Sequence, residues 1–296
     1  MITTIEAMVP VRLAEESKRA TGARFDLLLE TLSQHWADPA PLRLTVVGLR
    51  EELPMLRRMA GARPGLELRF LDEREMIDDP RFLALAGWFK QMFLKLSFCR
   101  FCEADAYLYL DADVVCVRPL SRAHLISKGR AVIGWEPKDT HPGWWEGAGR
   151  VLRRQPSDGD WGLAVTPNVL IADIAASALT AVGAAYGAEP LDVLLAGTGD
   201  AEHCWTENTV YGEAAEASGE LEQRHTPLGY PSPYHSTADL WSVEQLDAWR
   251  PLDVLAARPA TRFVVVQSNV GLDPAYIRKR LAPFVRAAPE ATATQA

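Results

Sequence analysis

The chain is poor in cysteine, has no long apolar run and carries no basic stripe, and each shortage removes a class of protein. Four cysteines in 296 residues, Cys99, Cys102, Cys116 and Cys204, are too few and too scattered for a secreted disulfide scaffold. Cys99 and Cys102 form C-x-x-C, yet no second pair stands at zinc-site spacing, so ordinary buried thiols are expected. No run of about 18 apolar residues occurs, and the start, MITTIEAMVPVRLAEESKR, lacks a basic segment followed by an apolar one. The expectation is a cytoplasmic protein without a transmembrane segment, with peripheral membrane contact left open. Lys and Arg number 31 against 39 Asp and Glu, and the net charge of -8 argues against nucleic acid, whose phosphates would be repelled.

What is present is enough apolar material for a core, 48% of residues, and a regular alternation of patterns. ITTIEAMVPV reads as a strand. FDLLLETLSQHW reads as a helix, with Leu27, Leu28, Leu32 and Trp36 near one face. LRLTVVG, ELPMLRRMA and LELRFLD continue as strand, helix and strand. GWFKQMFLKLSFCRFC is a strong helix leading into the strand AYLYL. Such alternation predicts an α/β fold: a mostly parallel sheet flanked by helices, in one domain over residues 1–286. Later, VTPNVLIAD and RFVVVQSN read as strands, IAASALTAVGAAYG and DPAYIRKRLAPFV as helices, and WTENTVYGEAAEASG as a helix with Thr206 at its N-cap. HPGWWEGAGRVLRRQPSDGD has the glycine-bearing, polar profile of a mobile surface segment. The tail, residues 287–296, is expected to be disordered.

The stretch YLYLDADVVCVR, Tyr107 to Arg118, sets two carboxylates at the end of an apolar strand. Charged carboxylates are costly to desolvate, so Asp111 and Asp113 need a cation, a hydrogen-bond network or solvent. In open α/β sheets ligands bind at the edge where such strands end. Alternation along a strand would project both side chains to one side, where hard oxygen donors suit Mg²⁺ or Mn²⁺. The plainer reading of the bare tripeptide is a turn-capping aspartate beside a solvated one.

The longer stretch FLKLSFCRFCEADAYLYLDADVVCVRPL resembles the metal-binding segment of GT-A-fold glycosyltransferases, above all the glycogenin-like and galactosyltransferase-like retaining families. The pair Lys95 and Leu96 and the triplet Asp111, Ala112 and Asp113 carry the resemblance. Trp88, Gln91, Lys95 and Leu96 also match the W-x-x-Q-x-x-x-K-L helix of a group of bacterial glycosyltransferase-like proteins. The resemblance implies a GT-A-like (Rossmann-like) domain and an NDP-sugar-dependent hexosyltransferase. It implies direct metal ligation by Asp113, contact of Asp111 with the metal or with the ribose of the nucleotide-sugar, and contact of Lys95 with the donor. It extends more weakly to Gln91 and Asn168 as donor-binding residues and to Glu207 facing the acceptor as a catalytic base or hydroxyl acceptor, where the alternative is a helix-start acid. Trp205 would stack on a sugar. A UDP-sugar is the first expected donor, and the acceptor would be a glycan, lipid or small molecule. The late histidine motif of the glycogenin-like enzymes is missing. His235, with His225 behind it, is the candidate replacement, and Gln267 and Ser268 stand at the comparable late strand.

Two other readings compete. D-x-D-x-V also opens haloacid-dehalogenase phosphatases, which would make Asp111 a nucleophile. That fold starts with this strand, whereas here three strand and helix units precede it, and Asp200 lacks the hydrophobic strand a later acidic partner requires. A non-catalytic nucleotide-sugar-binding relative would need neither Lys95 nor Glu207 merely to fold. A pyrophosphorylase would need a glycine-rich loop after the first strand, and MVPVRLAEESKR has none.

Overall fold

The computed structural model describes residues 1–13, 18–234 and 238–285. His235 and the tail 287–296 lie outside the described residues. The first strand, β1 (Ile5–Pro10), is followed by α1 (Lys18–His35), β2 (Leu42–Gly48), α2 (Leu53–Ala60), β3 (Leu66–Asp72), α3 (Gly87–Ser97) and β4 (Ala106–Tyr109). A later strand, here β6 (Asn168–Ile171), completes a five-stranded sheet in the order β6-β4-β1-β2-β3. β1, β2, β3 and β4 run parallel, and β6 is antiparallel to β4. The parallel strands are apolar along most of their length because helices cover the sheet. Ala7, Met8, Val9, Leu44, Val46, Leu108 and Tyr109 are all buried.

Strand order reverses between β1 and β4, the place where doubly wound sheets open a crevice beyond their carboxyl ends. β4 ends at that crevice. Past it, β5 (Val114–Cys116) leaves the main sheet and pairs antiparallel with a late strand, β7 (Phe263–Val265). A separate apolar cluster, including Val115, Val117, Leu240, Trp249 and Val264, lies under this small sheet. The sequence therefore predicted the architecture and the first four strands, and β7 falls within RFVVVQSN.

The segment read as mobile is instead partly a helix, α4 (Pro142–Val151), with Pro142 in its first turn. Its glycines permit contact. A Cβ on Gly143 would lie 2.1 Å from the Glu202 carbonyl oxygen, and one on Gly147 would lie 2.2 Å from that of Cys204. The bare helix face thus seats against the 202–204 backbone. Two further helices complete the surroundings of the crevice: α5 (Ala172–Tyr186) and α6 (Glu207–Ala217).

Candidate functional site

Between β4 and β5 the chain turns, closed by the Val114 N–H on the Asp111 carbonyl at 3.2 Å. Asp111 and Asp113 therefore flank a turn, and their closeness comes from it rather than from strand alternation. Backbone from β7 and beyond holds Asp113. The Ser268 N–H donates to Asp113 Oδ2 at 2.9 Å, and the Val266 N–H donates to the Asp113 carbonyl at 3.1 Å. Arg24 of α1, itself buried, donates to the Val266 and Leu272 carbonyls at 2.6 and 2.8 Å, so it braces the same segment. Burial first, and the charge of Asp111 second, push the Asp113 carboxyl up to about 6, against the pull of the Ser268 N–H, Arg24 and Lys95.

Lys95 lies in the last turn of α3 and is only 4% exposed. The solvated-helix alternative for this residue is thereby excluded. Its Nζ is 2.7 Å from Asp111 Oδ1, an oxygen with no aligned hydrogen bond of its own, and 3.2 Å from Glu207 Oε1. Burial works against the ammonium's charge, but Asp111 and Glu207 outweigh it and hold the lysine's pKa above its ordinary value. The end of α3 is fixed by the Tyr107 hydroxyl, which donates to the Lys95 carbonyl at 2.9 Å.

Glu207 begins α6. Thr206 caps that helix as the sequence predicts, its side chain accepting from the Thr209 N–H at 3.2 Å. Glu207 therefore sits at the positive end of a helix dipole, and its carboxylate also reaches Lys95. The helix-start reading of this residue holds, and its carboxylate is turned to Lys95 in the interior. Asn208, next along, accepts a short hydrogen bond from the Tyr109 hydroxyl, so β4 and α6 are stitched together beside the lysine.

One ammonium, with the Arg24 guanidinium beyond it, thus confronts the three carboxylates of Asp111, Asp113 and Glu207. The surplus negative charge and the hard oxygen donors at Asp111 and Asp113 fit a divalent cation. Among the described residues no third His, Cys, Asp or Glu completes a metal-binding group with them.

The remaining candidates sort differently. Gln91 shares a face of α3 with Lys95 and is half-buried. Asn168 is fully buried and engaged with backbone: its Oδ1 accepts from Gly134 and Val169, and its Nδ2 donates to Gly134 and Ala164. Trp205 is a correction: its ring is wholly buried, edge-on to Phe93 at 4.9 Å, with Nε1–H on the Leu194 carbonyl, and offers no face to a sugar. His225 is also closed. Its Nδ1–H faces the Leu221 carbonyl, its Nε2 accepts from the Tyr211 hydroxyl, and Tyr211 accepts from the Ile171 N–H. Burial lowers the pKa of His225 to about 4, so the ring is neutral.

Arg24 and the bracing of Asp113 by Ser268 escaped the sequence reading. Nothing local in α1 marks Arg24 as reaching a segment so distant in the chain. A lone arginine in an otherwise apolar stretch of a helix face was the only signal.

The described residues contain no helix long and apolar enough to cross a membrane. No curated protein matches the chain. A family described as "Family of unknown function (DUF6492)" matches residues 2–288. Among solved structures, mouse xyloside xylosyltransferase 1 in its apo form aligns with a TM-score of 0.55 and 13% identity, covering 91% of this chain and 100% of its own. The apo structure of WbbM, a bifunctional glycosyltransferase, aligns with a TM-score of 0.56 and 12% identity over 97% of this chain. This chain spans 50% of WbbM. At such identities the likeness is one of fold, a GT-A-like mixed α/β domain with a mostly parallel sheet flanked by helices.

Proposed function

The chain belongs to the family of unknown function DUF6492, and from that premise we propose that it is a glycosyltransferase using a nucleotide-diphosphate sugar. The observation that carries the reading is the buried Lys95, held between Asp111 and Glu207 at the switch point of a GT-A-like sheet. A purely structural ion pair would not need a surplus of carboxylates at an edge open to ligands. The two solved structures of like fold, both glycosyltransferases by name, support the same reaction class.

In this reading Asp111 and Asp113 would hold Mn²⁺ or Mg²⁺. The cation would supply charge neutralisation for the departing nucleoside diphosphate. Lys95 adds a fixed positive charge beside the same leaving group. Glu207 keeps that lysine charged and aimed, and so acts through it. The Ser268 N–H fixes the Asp113 carboxylate, so its orientation is set before any ligand arrives. A UDP-sugar is the proposed donor.

Calorimetry of UDP binding with Mn²⁺ tests the assignment. Asp113→Ala is expected to lower affinity at least a hundredfold while the protein stays folded, and the unaltered protein is expected to release nucleoside diphosphate slowly from one of a panel of nucleotide-sugars. Unchanged affinity in Asp113→Ala, or turnover of an aryl phosphate with no nucleotide release from any donor, overturns it.

A further inference from the structure

Helix α3 carries more than Lys95 on its ligand-facing side. Trp88, Gln91 and Lys95 are spaced i, i+3, i+7 and share one face, with Trp88 two turns, or about 10 Å, from the lysine. Trp88 is 39% exposed, and no hydrogen bond to its indole occurs among the described residues. Its ring lies 6.0 Å from that of Trp144 on α4, tilted by 40°. Trp144 is fixed twice over: its Nε1–H donates to the Ala201 carbonyl at 2.7 Å, and His141 stacks on it at 3.8 Å and 19°. Exposed Trp88 thus abuts a half-buried Trp144 that is already fixed in place.

We infer that Trp88 and Trp144 form a stacking platform for a pyranose unit of a saccharide acceptor, with the Gln91 amide as its polar neighbour. This rests on the transferase reading and names the acceptor class for the same site. Three features favour a sugar over other occupants. The rise of about 10 Å along α3 between the Trp88 and Lys95 positions is comparable to the length of a disaccharide, so a sugar stacked on the platform stays near the reacting end. Burial lowers the pKa of His141 and disfavours a cation at the platform; a phosphate group would find its partner at Lys95 instead. Rings set against a planar amide suit a ligand with apolar C–H faces and equatorial hydroxyls, whereas a lipid tail calls for a deeper aliphatic groove. Because Trp144 is already immobilised, binding forfeits little side-chain freedom there.

The test measures saccharide binding without any donor, so it stands apart from the transferase assignment. Maltotriose, cellotriose and tri-N-acetylchitotriose are offered at millimolar concentration to the full chain, and binding is followed by saturation-transfer NMR. At least one is expected to bind, with affinity falling fivefold or more in Trp88→Ala and in Trp144→Ala and recovering in part in Trp88→Phe. Melting curves check that the variants are folded, and exposed Trp88 supplies the variant least able to disturb packing. Binding of none of the three, or equal binding by both alanine variants, overturns the inference. So does binding of a phenyl or dodecyl aglycone with no binding of the free trisaccharides, which would mark an apolar docking patch. If saccharide binds at the two indoles but no nucleotide-sugar is turned over, the platform stands and the transferase reading falls. If UDP and Mn²⁺ bind but no saccharide does, only the platform falls.

Discussion

Helix α3 buries two lysines, and they live in opposite circumstances. Lys90 meets a single carboxylate, Glu73, at 2.7 Å, with both side chains almost wholly out of water and the ammonium over the Phe82 ring. The pair is balanced and closed. Lys95 meets two carboxylates, with a third behind them, and the side chain of Asp111 remains 18% exposed. That group is unbalanced and open. Burial of charge alone therefore does not mark a site in this protein. Surplus charge with a route to solvent does, because only there can a ligand complete what the fold leaves unfinished.

The largest effect should come from the closed pair. Lys90→Met strands Glu73 as a buried charge, and a loss of about 3–5 kcal/mol of stability is expected from urea denaturation, with most of it recovered in the double variant Lys90→Met/Glu73→Met. A loss under about 1 kcal/mol would mean that water reaches Glu73, and the contrast between the lysines would collapse.

The Tyr211–His225 chain is a second closed arrangement and sharpens the comparison through pH. His225 is held to about 4 when folded, whereas an unfolded histidine titrates near ~6.5. Between those values only the unfolded chain takes up the proton. Stability is thus expected to fall as pH drops from about 6.5 to about 4, by up to about 3 kcal/mol from this group. His225→Gln should flatten that part of the stability profile. An unchanged slope would show that the ring is already wet.

The open group should respond least to loss of its lysine. Lys95→Met is expected to cost about 1–3 kcal/mol, since water can reach Asp111 in place of the ammonium and the first turn of α6 still favours the charge of Glu207. Millimolar Mn²⁺ should raise the Tm of both variants, because Lys90→Met leaves Asp111 and Asp113 untouched, but by more in Lys95→Met, where the cation also replaces the lost ammonium. Equal shifts in both would erase the distinction.

The alternating patterns in the first third of the chain made the parallel sheet and the place of Asp111 and Asp113 legible, because strand and helix periods are local properties. Lys95 was legible from its motif and Thr206 from its capping position. Two kinds of feature were not. Gly143 and Gly147 read as flexibility, since sequence shows an absent side chain but not the backbone that comes to fill the gap. Trp205 read as a sugar platform, and the exposed indole partner of Trp144 turned out to be Trp88, on another helix. Pairings such as Lys95 with Glu207, or Arg24 with the Val266 carbonyl, join residues far apart in the chain and leave no periodic trace.

The bracing of Asp113 has a consequence in time. The main sheet is complete once residue 171 has been made, but the N–H that orients this carboxylate belongs to Ser268, and β7 must pair with β5 to deliver it. During synthesis, where amino-terminal parts fold first, a nascent chain can hold its sheet while the acidic turn is still unarmed. Chains released before Arg262 would be sheet-competent but would lack the N–H that orients Asp113.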